Sequence, residues 1–278
     1  MEMSVPQRPQ IGSLPLRFGY SPADQAVWRK GDGSGLEYRS LGLADASQGL
    51  LDAQLVRAAK AGVRQGWYDP SDEFHYLQVL AGSLTLRTWD GERLTLTVGD
   101  AVVQPPFTLN PDVYEYSDDY EALEFASKGS FEHIDRFREK HGLTRTSEAP
   151  KEAVITHDTP ETYITGDGPR SFFTYRDLGA TAASNRRMHI HVVGIADQPP
   201  GGTGWHTHSM DQFFMPITGW LDIWVEGLGK VRMKRGDAMF IPAGIRHNVT
   251  EFTRDYTVVE ACIPTDYDTL DATDPAQD

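Results

Sequence analysis

The stretch YRSLGLADASQG, beginning at Tyr38, returns as YRDLGATAASNR, beginning at Tyr175, 137 residues later. The same offset carries Gly82 onto Gly219, Gly99-Asp100-Ala101 onto Gly236-Asp237-Ala238, and Pro105 onto Pro242. One deletion further on, Asp119-Tyr120 and Glu124 match Asp255-Tyr256 and Glu260. Scattered matches arise by chance, but a constant register does not. The chain is a duplication, so it must fold as two similar units.

Each copy reads as strands. SLTLRTWDGERLTLTVGDAVVQPP alternates apolar and polar residues around a turn at Asp90-Gly91. WLDIWVEGLGKVRMKRGDAMFIPAG repeats that layout, with Gly227 and Gly229 at its turn. Short strands cut by Gly, Pro and Asp predict an all-β chain of small antiparallel barrels or sandwiches. Between the copies, SFEHIDRFREKHG (130–142) sets Phe131, Ile134 and Phe137 on one helical face, with Ser130 to cap the start and Gly142 the end. The expected organisation is an N-terminal arm (1–35), a first barrel (36–128), a helix and linker (129–165), and a second barrel (166–278).

Composition narrows the function. A formal charge of −14 repels phosphate, which argues against nucleic acid as a partner. The sequence has no run of eighteen apolar residues, the length that would suggest a membrane-spanning helix. The first residues lack the basic start and apolar stretch of a secretory signal. Cys262 is the only cysteine, so neither an intramolecular disulfide nor a CxxC metal site can form. Together these features predict a cytoplasmic protein.

The second copy carries the chemistry. From His206 the order is His-x-His, three residues, Gln212, six residues, Gly219. Later come Gly236, five residues, Pro242-x-Gly244, two residues, and His247. This resembles the two-motif signature of the cupin superfamily, G-x5-H-x-H-x3,4-E-x6-G followed by G-x5-P-x-G-x2-H-x3-N. The resemblance implies a bicupin: two double-stranded β-helix (jelly-roll) barrels joined by a short helical connector. It also implies a metal site in the C-terminal barrel. The spacing has a physical reason, because side chains at i and i+2 of a strand share a face. His206 and His208 then point into the barrel together, and the turn at Pro242-Ala243-Gly244 brings His247 beside them. Three imidazoles and one oxygen donor suit a first-row divalent ion with positions left for substrate. The expected ligands, and the catalytic centre, are His206, His208, Gln212 and His247. The expected cofactor is one divalent ion per chain, Fe(II) first, with Mn, Ni or Zn as other ions that imidazole accepts.

Three departures from the motif stand out. Gln212 replaces the usual glutamate. Pro200 takes the place of the leading glycine, with Gly201 and Gly202 following it. Glu251 replaces the usual asparagine. A neutral amide leaves the ion its full charge, which favours an anionic or chelating small-molecule substrate. Phe214, Arg246, His191 and Glu260 are further candidates for substrate contact. His189 and His191 form a second HxH without a partnering motif. Glu260 recurs as Glu124, which favours a structural role. Trp205, Phe213, Trp220 and Trp224 are expected in the core or between the barrels.

In the first copy the metal positions fall on Asp69, Ser71, His75 and Asn110, so that barrel is expected to be structural. For the whole chain the resemblance implies a wide range of chemistry, from dioxygenases to isomerases and binding proteins; the neutral three-histidine shell and the aromatics around it favour an Fe(II)-type dioxygenase, using O2 to cleave a small aromatic or enolisable, diketone-like substrate. The alternatives are a non-redox isomerase, lyase or hydrolase of a sugar acid or similar carbonyl compound, and a small-molecule-binding protein without turnover. The paired barrels are open to a homodimer as well as a monomer.

Overall fold

The computed structural model describes residues 17–277, except 32, 48, 50, 66–73, 88–90, 105–112, 128–152, 167–169 and 198–201. The helix expected at 130–142, and Asp69, Ser71 and Asn110, lie outside the described residues. What is described is all-β, with two four-residue helices at Leu43–Ala46 and Ala180–Ala183.

The repeat is visible in the ladders. One seven-stranded antiparallel sheet runs Val154–Thr156, Ala101–Gln104, His75–Ala81, Glu121–Ser127, Leu51–Ala58, Leu36–Ser40, Arg29–Lys30. Another runs Gly19–Ser21, Ala238–Ile241, Asp211–Thr218, Thr257–Ile263, His189–Ile195, Phe173–Asp177, Ile164–Thr165. Each is backed by a smaller sheet. That of the first copy has four strands: Gly62–Gln65, Val113–Tyr116, Ser83–Arg87 and Arg93–Thr97. That of the second has five: Gly229–Lys234, Trp220–Val225, His247–Phe252, His206–His208 and Thr269–Asp271. Register is kept as well, since His75 faces Gln104 as Gln212 faces Ile241, 137 residues on.

Both faces of the large sheets are buried, because they sort side chains by parity. Along Thr257–Ile263, Val258 joins the interior of the second barrel, while Val259, Ala261 and Ile263 face the first barrel. The layer between the barrels draws Leu51, Leu55, Tyr76 and Phe125 from one sheet and Ile190, Val192, Phe213 and Phe240 from the other. Phe125 and Phe213 meet edge-on across it, centroids 4.8 Å apart. Phe213 is therefore inter-barrel, as expected. Trp224 is not: it is 41% exposed. Trp220 is half-buried, with the Arg232 guanidinium 3.7 Å above its ring.

The two units also exchange parts. Gly19–Ser21, from the N-terminal arm, pairs with Ala238–Ile241 of the second barrel. Val154–Thr156, from the linker, pairs with Ala101–Gln104 of the first. Arg39 donates to the Gly236 carbonyl at 2.7 Å, and its repeat mate Arg176 donates to the Gly99 carbonyl at 2.8 Å. Each arginine thus crosses to the turn of the sister copy, and those turns are themselves repeat mates. The repeated glycines at the hairpins have a steric reason: at Gly219 (φ +63°) a Cβ would fall 2.2 Å from Thr253 Oγ1 and 2.9 Å from Tyr256 Cα.

Arg176 is fully buried and its second hydrogen bond goes to the Thr156 carbonyl. Arg176→Met strips one buried and one partly buried carbonyl of a donor, so unfolding in urea should lose about 2–4 kcal/mol. Arg93→Met, which removes an exposed ion pair to Glu115, should change stability by about 0.5 kcal/mol or less. Equal effects would show that the crossed arginines do not hold the barrels together.

Candidate metal centre

Three local devices converge on the second barrel's open end. The strand His206–His208 lies against His247–Phe252, with His206 and His247 as direct ladder partners. Gly202 (φ +72°) lets the loop before His206 press onto that strand, where a Cβ would lie 1.9 Å from the Val249 carbonyl oxygen. Thr203 then bonds Val249 in both directions, at 2.9 and 3.0 Å. The turn leading to His247 is pinned twice: Gly244 N donates to the His208 carbonyl at 2.9 Å, and Ala243 N donates to the Asp211 carboxylate at 2.9 Å. Burial raises the Asp211 carboxyl to about 7, only partly offset by that hydrogen bond.

The imidazoles of His206, His208 and His247 stand with ring centroids 4.3–5.1 Å apart, and their candidate ligand atoms lie within 4.8 Å of one another. Each ring is held from behind through Nδ1. His206 and His247 bond the carbonyls of Gly204 and Ile245 at 2.9 and 3.0 Å, and His208 bonds Thr269 Oγ1 at 2.9 Å. A carbonyl only accepts, so Nδ1 of His206 and His247 carries the proton and Nε2 keeps its lone pair. Burial lowers all three pKa values, helped at His208 and His247 by the neighbouring rings: to about 4 for His208, about 3 for His247, and below the ordinary range for His206. The lone pairs are therefore free at neutral pH.

Gln212 completes the donor set. Its Nε2 donates to Glu260 Oε1, and its Oε1 is buried without a hydrogen-bond partner. A buried acceptor left unmade costs about 1–3 kcal/mol. Three lone-pair nitrogens and an unpartnered amide oxygen in one cavity wall fit a divalent cation.

The four residues line one cavity together with Phe173, Phe214, Ile223 and Val258, among others. Phe214 thus reaches it, and so does Glu260. Arg246 does not: its guanidinium is engaged by Glu226, at 2.7 and 3.1 Å, and it is absent from the lining. His191 stands one layer back, with Nε2 on Glu260 Oε2 at 2.5 Å and Nδ1 on His189 Nε2 at 2.7 Å. His191, Glu260 and the buried Cys262 also bring candidate ligand atoms within 4.8 Å, but the His191–Glu260 hydrogen bond already occupies that donor. Sequence reasoning missed Arg170, which lines the cavity with a buried, unpartnered Nε and only a long 3.5 Å contact to the exposed Asp271. It also missed Asp211 and Thr269. No pattern marks them, because each acts across a long loop or another strand.

The first barrel keeps the carboxylate and loses the ring of histidines. Glu124, the counterpart of Glu260, accepts from Gln54 Nε2 at 2.8 Å, and Gln54 stands where His191 stands in the second copy. Arg64 reaches into that barrel and sits 3.4 Å from Glu124. A smaller cavity remains, lined by Arg64, Glu124 and the apolar or aromatic Leu77, Leu84, Tyr114 and Tyr120, among others.

A family model described as a cupin domain matches residues 194–259. Among solved structures, the protein Ylba from E. coli is similar at a TM-score of 0.64 and 14% identity, over 94% of this chain and 96% of that one. The Lactobacillus farciminis oxalate decarboxylase, solved as a formate complex, gives 0.60 and 13% over 93% and 91%. The Bacillus subtilis oxalate decarboxylase gives 0.56 and 14% over 91% and 78%. Among curated proteins no sequence matches this one. No helix among the described residues is long and apolar enough to cross a membrane.

His206→Ala should abolish stoichiometric uptake of a divalent ion while leaving the β-sheet circular dichroism intact; unchanged uptake would contradict the assignment. The metal-free protein should also be acid-sensitive. Folded His208 and His247 stay neutral down to about 4 and 3, whereas unfolded histidine takes up a proton near 6.5. Stability is thus present above about 6.5 and falls as pH drops towards 4, by up to about 1.4 kcal/mol per pH unit for each imidazole. Urea titrations at pH 7 and pH 5 measure it; saturating metal should raise stability at both pH values and leave the difference in place.

Proposed function

We infer that this chain, a two-barrel protein of the cupin fold with a cupin domain in its second half, is a metal-dependent enzyme. It works at one centre in that second barrel, on a small anionic, chelating substrate. The observation that carries this reading is the convergence of three neutral, back-bonded imidazoles and an unpartnered amide oxygen on one cavity. His206, His208 and His247 would hold the ion, with Gln212 Oε1 as a fourth donor. When bound, the ion supplies a Lewis acid and, as Fe(II), an electron path from substrate to O2. Mn(II) stands beside Fe(II) as a candidate, since the similar Bacillus subtilis oxalate decarboxylase is described with Mn(II) centres.

The chain's own residues do the rest. Arg170, which lines the cavity, would bring its positive charge to the substrate's carboxylate or enolate. Phe173, Phe214 and Val258 cover the substrate's apolar part and exclude water from the ring of donors. The reading we place first is a dioxygenase cleaving a small aromatic or enolisable, diketone-like compound. The neutral donor set and apolar wall support it, because such a substrate brings the anionic chelating group the site lacks. A second reading, non-redox lyase or isomerase chemistry on a carbonyl acid, is favoured by the fold shared with the oxalate decarboxylases.

The protein purified without air and analysed for metal should hold about one ion per chain. Oxygen uptake with catechols, diketones or hydroxy-aromatic acids supports the dioxygenase. Turnover of a carbonyl acid in the absence of oxygen establishes the second reading. Tight binding of every candidate without product would make the protein a binder rather than an enzyme. Arg170→Gln should raise KM for anionic substrates about tenfold or more with kcat changed far less; an unchanged KM would remove Arg170 from the site.

A further inference from the structure

A carboxylate at position 260 explains why position 212 is a glutamine. Glu260 is anchored on its far side by His191 at 2.5 Å, and His191 is anchored by His189 at 2.7 Å, whose Nδ1 in turn contacts Thr181 Oγ1 at 2.8 Å. The carboxylate is therefore fixed before it meets position 212. A carboxylate only accepts hydrogen bonds, so it takes the amide NH2 of Gln212 and turns the amide oxygen the other way. That oxygen is buried without a hydrogen-bond partner, on a residue of the cavity wall. A glutamate at 212 would instead set two carboxylates in contact, a repelling pair.

The sister barrel provides the internal comparison. There the same carboxylate, Glu124, receives the same kind of neutral hydrogen bond, from Gln54, and a guanidinium supplies the positive charge. In the second barrel, among the described residues, no arginine or lysine pairs with Glu260. The three imidazoles line the same cavity as Gln212 and Glu260. Where Arg64 faces Glu124, the ion-pair partner of Glu260 is an imidazole, His191, on its far side, and a divalent ion held by the three histidines would add positive charge on the cavity side.

We propose that Glu260 is a positioning residue of the metal centre, acting through Gln212: held by His191, it orients the Gln212 amide so that Oε1 faces the ion, and it keeps the centre's negative charge one hydrogen bond behind the ligands. This rests on the metal-centre reading above. It makes the glutamine at 212 a charge-displaced form of the usual glutamate rather than a weakened ligand.

The test is cobalt(II) binding to the full-length, metal-stripped protein, read as dissociation constant and as the visible d–d spectrum, whose intensity and position report the ligand set. Glu260→Gln should bind cobalt at least tenfold more weakly with an altered spectrum, because the amide introduced at position 260 can donate to the Gln212 oxygen and turn that side chain over. The exchange variant Gln212→Glu/Glu260→Gln should recover to within about threefold of wild type, its carboxylate at position 212 accepting from the amide at position 260. His191→Gln should behave like wild type, since Gln54 shows that a glutamine there holds the carboxylate; His191→Leu should shift the spectrum as Glu260→Gln does. Thermal melts of the metal-free variants separate misfolding from lost binding.

Wild-type affinity and spectrum in Glu260→Gln would overturn the proposal. An exchange variant as weak as the single one would also overturn it, and so would Gln212→Leu binding as wild type while Glu260→Gln fails, which would make Glu260 itself the ligand. A wild-type protein that takes up no cobalt would sink the metal-centre reading together with it. Binding by wild type with no response to Glu260 sinks only the positioning role.

Discussion

Burial of both faces of two seven-stranded sheets is the constraint on which everything else rests. A sheet face packed against its own small sheet makes a barrel, and the opposite face packed against the sister sheet makes the pair. Strand side chains alternate, so one set of residues serves the barrel interior and the other the shared layer. Ile190 and Val192 weld the barrels together, and between them His191 is left facing inward. The same holds at Phe213 and Ala261, whose neighbours Gln212 and Glu260 meet over the cavity. Gln212 and Glu260 thus sit on strands buried on both faces, while His206, His208 and His247 approach them from the small sheet.

The crossed connections make the two units interdependent. Each barrel's large sheet ends in a strand that belongs, by sequence, to the segment preceding the other copy. Each crossing is closed by an arginine that spans to the sister turn. Burying a guanidinium is costly unless its hydrogen bonds are met, and here backbone carbonyls meet them. A barrel without a metal motif can therefore still be required, because it completes the sheet and supports the wall of the one that has it.

Both barrels solve the same electrostatic problem differently. A carboxylate is carried at equivalent positions inside each, Glu124 and Glu260. One is matched by a guanidinium and surrounded by tyrosines, which leaves a small cavity. The other is met by an amide and an imidazole and opens onto a larger cavity ringed by histidines. Divergence after duplication is legible in what meets that carboxylate: a guanidinium in one barrel, an amide and an imidazole in the other.

Features that depend on short spacings could be read from the chain alone. The repeat register, the all-β character, and the inward grouping of His206, His208 and Gln212 follow from the two-residue period of a strand; the approach of His247 follows from the glycine and proline of its turn. Partners that meet only after folding could not be read that way. Arg246, beside His247 in the chain, turns away to Glu226, while Arg170, 36 residues before His206, enters the cavity. Nothing in the linear pattern tells that His191 stands behind Glu260 rather than in the wall, that Asp211 pins the histidine turn, or that the arm and linker strands trade barrels. Those choices lie in the packing of strands far apart along the chain, where a one-layer difference in depth separates a substrate contact from the residue that holds it in place.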